Sequence, residues 1–183
     1  MKRISIVGFG KIAQAIAAHI LKQAISITAI DINVELQSAF KQARYSTNEP
    51  GVEDILIKAY ENRILVVTND FSVIKSSDAI IIAIPLLIDE QKKILGAPFL
   101  DTIKKIAPFT GGKVPVIIET SIPVGYSRNY VVPAFESGGK QHGADFLLAH
   151  SPERIKSGTM LEQLSKIPKI IGGVTKEATE GTF

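Results

Sequence analysis

The sequence predicts an α/β fold: a doubly wound, mostly parallel sheet with helices on both faces. Three observations carry this. Short apolar, β-branched runs alternate with longer stretches of helical periodicity. The run from Ala79 to Ile84 has no polar alternation, as a strand covered on both faces requires. The first apolar run breaks at a glycine pair that opens a helix. With 183 residues, 45% hydrophobic and 21% charged, the chain can bury a core without a disulfide or metal staple.

Each element has its own signal. Ile4, Ile6 and Val7 make 3–7 a buried strand, ended by Gly8. Ile12, Ala13, Ile16, Ala17, Ile20 and Leu21 recur at helical spacing. A second strand at 26–30 ends at Asp31. A short helix at 35–43 leads into a loop at 45–51, where Pro50 and Gly51 are the turn signal. A helix over 52–60, a third strand at 64–68 and a helical turn over 71–75 precede the fourth strand at 79–84. A long amphipathic helix is expected over 91–106, interrupted near Gly96 and Pro98. The remaining strands are expected at 114–120, 144–149 and 167–171, with a helix over 125–135. Residues 138–143 read as a surface loop.

Composition excludes several classes. The absence of cysteine rules out a disulfide framework, a Cys-ligated zinc, an iron–sulfur cluster and a thiol nucleophile within this chain. The net charge of +3 comes from 21 basic and 18 acidic residues. The basic pairs at Lys92-Lys93 and Lys104-Lys105 fall on amphipathic stretches, so they read as solvated faces and no nucleic-acid partner is expected. The apolar run 79–88 contains Pro85 and falls short of the roughly 18 residues of a membrane span. No signal peptide is visible, so a soluble cytoplasmic protein is expected. His19, His142 and His150 have no metal-ligand spacing, and no metal is expected; His150 is the one placed to line a cleft.

The first strand runs into Gly8-Phe9-Gly10-Lys11-Ile12-Ala13, a G-x-G-x-x-A arrangement in a Rossmann-like setting. Gly8 permits a tight turn, Gly10 leaves room for a pyrophosphate against the backbone, and Ala13 keeps helix and strand close. The helix aims free N–H groups and its positive end at the phosphates. Asp31 lies 21 positions after Gly10, where a carboxylate accepts bonds from ribose hydroxyls and repels a 2′-phosphate. NAD is therefore the expected cofactor, with Gly8, Phe9, Gly10, Lys11, Ile12 and Asp31 around it. The alternative is a glycine turn that binds nothing, with Asp31 as a helix cap.

Four further segments follow: Asn48-Glu49-Pro50-Gly51-Val52-Glu53, Glu119-Thr120-Ser121-Ile122-Pro123-Val124-Gly125, His150-Ser151-Pro152-Glu153-Arg154-Ile155, and Ile167-Pro168-Lys169-Ile170-Ile171-Gly172-Gly173. In this order and spacing the chain resembles the N-terminal NAD-binding domain of the UDP-glucose/GDP-mannose dehydrogenase family. Ser151-Pro152-Glu153-Arg154 is more similar to the branch that oxidises UDP-N-acetyl-hexosamines than to the UDP-glucose branch. The resemblance implies oxidation of a nucleotide sugar's C6 alcohol to a carboxylate with two NAD⁺, in polysaccharide biosynthesis. It places Ser121 beside the nicotinamide and the catalytic water. It makes Glu153 a base or water-orienting group, which suits a carboxylate near a hydroxyl. Ile84, Pro85 and Glu119 would meet the cofactor, or Glu119 would support the site. Two plainer readings stand beside these: Ser151-Pro152-Glu153 as a helix start, and Glu119 as a solvated strand end.

Three departures qualify the resemblance. Leu86-Leu87 follow Pro85 where the family has a threonine on the cofactor. Ser157 stands where the UDP-glucose branch has a second glutamate. The family's cysteine, lysine and asparagine, its sugar-binding domain and its dimer helix have no counterpart here. Residues 1–174 are accordingly expected to be the NAD-binding domain and 175–183 the start of a linker helix, with the isolated chain inactive and the full protein a homodimer. A non-catalytic NAD-binding module or partner subunit is the alternative. A 6-phosphogluconate- or 3-hydroxyacid-type dehydrogenase domain is a further one, against which the last two segments speak.

Overall fold

Strand β1 (Arg3–Val7) lies near the middle of the computed structural model, which describes residues 2–182. Met1 and Phe183, the outer ends of the two expected segments, lie outside the described residues. The other strands are β2 (Ser26–Ile30), β3 (Leu65–Thr68), β4 (Ala79–Ile82), β5 (Leu87–Ile88), β6 (Ile94–Leu95), β7 (Val114–Ile118), β8 (Phe146–His150) and β9 (Gly172–Gly173). Seven form one sheet in the order β3-β2-β1-β4-β7-β8-β9. All its pairings are parallel except β8–β9. The chain winds one way through β1, β2 and β3, then returns to the other side of β1. A crevice therefore opens outside the carboxyl ends of β1 and β4, the switch point where α/β sheets take ligands.

Successive residues of β1 feed opposite faces. Ile6 packs under α1 (Lys11–Leu21), α2 (Val34–Lys41), α3 (Val52–Glu61) and α6 (Met160–Lys166), with Ala13, Phe40, Leu56 and Met160. Val7 packs on the other face under α4 (Ala97–Ile106) and α5 (Val132–Ser137), with Phe99, Ile103 and Phe135. That two-sided burial is why the strands carry no polar alternation. In α1 the buried positions include Ala13, Ala15, Ala17 and Ala18, small residues that let the helix lie close to the sheet.

Several expectations are corrected. The helix expected over 91–106 starts at Ala97, with Pro98 suited to its first turn. The residues before it make an antiparallel hairpin, β5–β6. Asp89 closes it: its side chain accepts from the Lys93 N–H at 2.7 Å, and Lys92 turns with φ +64°. The expected strand at 167–171 is not paired; pairing waits until Gly172–Gly173. Pro168 has no N–H for a ladder, and its carbonyl is taken by the Arg154 guanidinium at 2.7 Å. The helix expected over 125–135 is a π turn at Ser127–Val131 followed by α5; Pro133, with no N–H to give, falls at the junction. Helix α6 was not legible as a helix at all. The last helix, α7 (Lys176–Glu180), is capped by the Thr175 side chain, buries Ala178 and packs on β8 and β9. Among the described residues no helix is long and apolar enough to cross a membrane.

Candidate functional site

The turn after β1 is built for glycine at Gly8. Its φ is +84°, and a Cβ there would lie 2.6 Å from Ile84 Cγ2 and 2.9 Å from the Ile84 backbone nitrogen. Side chains rarely adopt that φ, and the exit of β4 leaves no space for one. Gly10 is different. Its backbone is extended (φ −72°, ψ −178°) and a Cβ would meet nothing within 4 Å. The space beside it is the cleft itself. Gly10 caps α1 without a side chain, and α1 has no acid in its first turn, so the helix start keeps N–H groups and positive dipole for an anion.

Asp31 fastens this loop to β2. One carboxylate oxygen accepts from the Phe9 N–H at 2.7 Å and the other from the Asn33 N–H at 2.8 Å. Asp31 is not a helix cap: α2 is capped by Asn33, whose side chain accepts from the Glu35 N–H at 3.0 Å. The Phe9 side chain is buried in the core and its carbonyl accepts from Gln14 Nε2 at 2.9 Å. Phe9 and Ile84 therefore shape the turn, and the Phe9 ring does not face the cleft.

The crevice is a cavity of about 400 Å³ that brings Gly10, Lys11, Ile12, Pro85, Glu119, Ser121 and Glu153 together. Leu86 also lines it, an apolar wall where a hydroxyl was the family expectation. Asp31 lies at the neighbouring strand end, outside that lining. A wider opening of about 520 Å³ against β3 is lined by Phe40, Tyr45 and Tyr60; none of the motif residues reaches it. Thr120 joins the two walls of the crevice, donating its hydroxyl to the Ile84 carbonyl at 2.6 Å. The Thr120 carbonyl in turn lies 3.0 Å from His150 Nε2. Burial holds the His150 imidazole below its usual pKa, and the Thr120 contact opposes that only in part.

Two carboxylates meet at the far wall. Glu119 is not a solvated strand end: its side chain is 6% exposed. Its N–H donates to the Ile82 carbonyl at 2.9 Å, and its carbonyl accepts from the Glu153 N–H at 3.1 Å. The Glu153 side chain is 7% exposed. Its Oε1 accepts from the backbone N–H groups of Arg154 and Ile155 at 2.7 and 3.2 Å. The segment 151–159 does not start a helix; α6 begins only at Met160. The ammonium of Lys169 donates to Glu119 Oε2 at 2.5 Å and also to Glu153 Oε2. Burial pushes the Glu119 carboxyl above its usual pKa, Lys169 pulls it down, and the Glu153 charge raises it again.

Sequence reasoning missed three contributors. Lys169 stood in an apolar run read as a strand; a charge in such a run needs a partner, and that was the available signal. Thr120 gave none. Glu49, in a segment noted only as a motif, is a buried carboxylate that accepts from the N–H groups of Gly158 and Met160 at 2.8 and 2.6 Å. Lys11 of the cradle lies 3.9 Å from it. Glu49 thus starts α6 and braces the loop that carries Glu153. Ser157 lies in that loop and makes no paired-glutamate site. Among the described residues no cluster could hold a metal ion.

An uncapped helix start at the switch point, with a carboxylate on the second strand behind it, defines a dinucleotide-binding α/β domain. Residues 2–182 match the sequence model of the UDP-glucose/GDP-mannose dehydrogenase family, NAD binding domain, and the chain belongs to that family, with NAD as its cofactor. It is 25% identical, over 98% of its length, to a UDP-N-acetyl-D-mannosamine dehydrogenase of Methanococcus maripaludis, covering 40% of that protein. The solved UDP-D-ManNAc dehydrogenase from Pyrococcus horikoshii superposes with a TM-score of 0.89 at 26% identity, over 97% of this chain and 42% of that one. GDP-mannose dehydrogenase from Pseudomonas aeruginosa, 22% identical, shares the fold with a TM-score of 0.89, over 97% of this chain and 42% of its own. The chain thus spans about two fifths of the length of these relatives.

Proposed function

We propose that this chain is the cofactor-binding part of an NAD-dependent nucleotide-sugar 6-dehydrogenase, of the branch that acts on UDP-N-acetyl-hexosamines. The observation that carries the reading is the convergence of Gly10, Ser121 and Glu153 on one cavity at the switch point, in a chain that matches the family along residues 2–182. Bound NAD⁺ would supply the hydride acceptor. Gly10 and the first N–H groups of α1 hold the pyrophosphate, with Lys11 beside them. Asp31, already fixed by two N–H bonds, accepts from the adenosine ribose hydroxyls and disfavours a 2′-phosphate. Gly8, Phe9 and Ile84 set the shape of the turn. Pro85, Ser121 and Glu119 border the reacting end, and Glu153 orients a water and takes its proton.

The chain has no cysteine, so a thiol-dependent second oxidation needs a nucleophile from another part of the whole protein. In this reading residues 1–174 are the NAD-binding unit and 175–183 lead toward further domains. The whole protein is a cytoplasmic homodimer serving polysaccharide biosynthesis. Calorimetric titration of the chain with NAD⁺ and NADP⁺ tests the binding half: NAD⁺ binds more tightly, and equal or tighter NADP⁺ binding would remove the role given to Asp31. Assay of the complete protein with UDP-N-acetyl-D-mannosamine and with UDP-glucose tests the rest. Turnover of the first sugar is expected; NAD⁺ binding with no turnover of either would favour a non-catalytic module.

A further inference from the structure

Both carboxylates that line the cleft are more than nine-tenths buried, and one ammonium serves both. With both ionised, Glu119 and Glu153 would share a single ammonium and leave one negative charge uncompensated on carboxylates largely withdrawn from water, which is costly. Taking up a single proton relieves it. The two acids are not equivalent. Glu153 Oε1 accepts two backbone N–H bonds and Oε2 accepts from Lys169, so its carboxylate is well supplied with donors. Glu119 accepts from Lys169 through Oε2, and among the described residues no protein donor reaches its Oε1, on the side chain that lines the cavity. Lys169 is itself held in place, because Arg154 donates to the carbonyl of Pro168 just before it at 2.7 Å.

We propose that Lys169 is a positioning residue of this cleft: its ammonium holds Glu119 and Glu153 side by side as one proton-accepting unit, with the proton resting on Glu119. The donor count and the burial of Glu119 support this, and burial is the leading cause of that carboxyl's raised pKa. The neighbouring charged and titratable groups do not replace Lys169. His19 on α1 feels its charge and is kept below its usual pKa chiefly by burial. His150 faces the Thr120 carbonyl, Arg154 faces Pro168, and Lys11 faces Glu49. The chemical purpose of the unit, a base for the attacking water and a place for its proton, rests on the dehydrogenase reading; its existence does not.

The test is a pH titration of the glutamate side-chain carboxyl carbons by NMR in this chain, without cofactor. In the unaltered chain the Glu119 signal titrates above the usual glutamate range, and the neighbouring Glu153 carboxyl signal reports that same Glu119 step through the ammonium both acids share. Lys169→Met drives the Glu119 step further up. Lys169→Arg restores the unaltered pattern. Glu119→Gln removes the shared step from the Glu153 signal. The proposal is overturned if the Glu153 signal carries no step that disappears in Glu119→Gln, or if Lys169→Met leaves the Glu119 step where it was. Should Lys169→Met fail to fold, Glu119→Gln and Lys169→Arg decide the matter by the same signals. A separate NAD⁺ titration of the unaltered chain keeps the two ideas apart: absence of binding would defeat the dehydrogenase reading and leave the carboxyl result standing.

Discussion

The two walls of the cleft are made of different materials. The wall at β1, β2 and β4 is backbone: a positive φ at Gly8, an uncapped helix start after Gly10, and a Phe9 amide tied to Asp31. The wall at β7, β8 and the segment before β9 is charge: the buried carboxylates of Glu119 and Glu153 and the ammonium of Lys169, braced from behind by Glu49. The first wall is local, and at Gly8 it has no room for an added atom. The second is assembled from distant parts of the chain and depends on balanced charge. They should fail differently when altered, and five changes test that, ordered by their expected effect on stability.

Gly8→Ala should cost the most. It forces a side chain into φ +84° and pushes a Cβ to 2.9 Å from the Ile84 nitrogen. A cost of about 3 kcal/mol follows from strain and displacement together, or a fall in Tm of about 10 °C. Thermal unfolding within about 2 °C of the unaltered chain would show that the β4 exit yields easily. Glu49→Gln comes next. An amide has one accepting oxygen where the carboxylate has two, so the Gly158 or Met160 N–H loses its partner, at about 1–3 kcal/mol. Hydrogen exchange should quicken at those two amides and leave Gly8 to Ile12 unchanged; faster exchange in both regions would mean that the walls are one cooperative unit.

Asp31→Asn keeps one of the two bonds to Phe9 and Asn33 and loses the other, at about 1 kcal/mol. It should also narrow the preference for NAD⁺ over NADP⁺ by about tenfold or more, measured by calorimetry. Glu119→Gln acts through pH. The folded chain holds the Glu119 proton more tightly than the unfolded chain does. Stability present at low pH is therefore lost as pH rises through the raised value. The glutamine variant should lack that loss, seen as a smaller drop in denaturation midpoint as pH rises above the usual glutamate range. Gly10→Ala should change stability least, by under about 1 kcal/mol, since its backbone is extended and its Cβ enters open space. It should nonetheless weaken NAD⁺ binding by at least about tenfold, because that open space is where the pyrophosphate would lie.

The same contrast explains what could be read from the residues alone. Gly8, Gly10, Ala13 and Asp31 act within one strand–turn–helix–strand unit, and spacing along the chain reports such units well. The doubly wound, mostly parallel sheet follows from the same rhythm. Lys169 is 16 residues from Glu153 and 50 from Glu119, and Glu49 is 109 from Gly158. No periodicity encodes contacts at those separations. The second strand of the hairpin, β6, falls inside the helix expected over 91–106 because Ile94 and Leu95 satisfy an amphipathic pattern as well as they satisfy a short strand; Asp89 decides between them by closing a turn. Helix α6 escaped because its start depends on a carboxylate from Glu49, not on a cap of its own.

The central claim is that one cofactor occupies the cavity between both walls. Titration of the ¹⁵N-labelled chain with NAD⁺, followed by amide NMR shifts, tests it directly. The amides of Gly10, Lys11 and Ile12 on one wall and of Ser121 and Glu153 on the other should shift together and saturate along one binding curve. Saturating shifts confined to residues 8–12 and 31, with Ser121 and Glu153 unmoved, would contradict it.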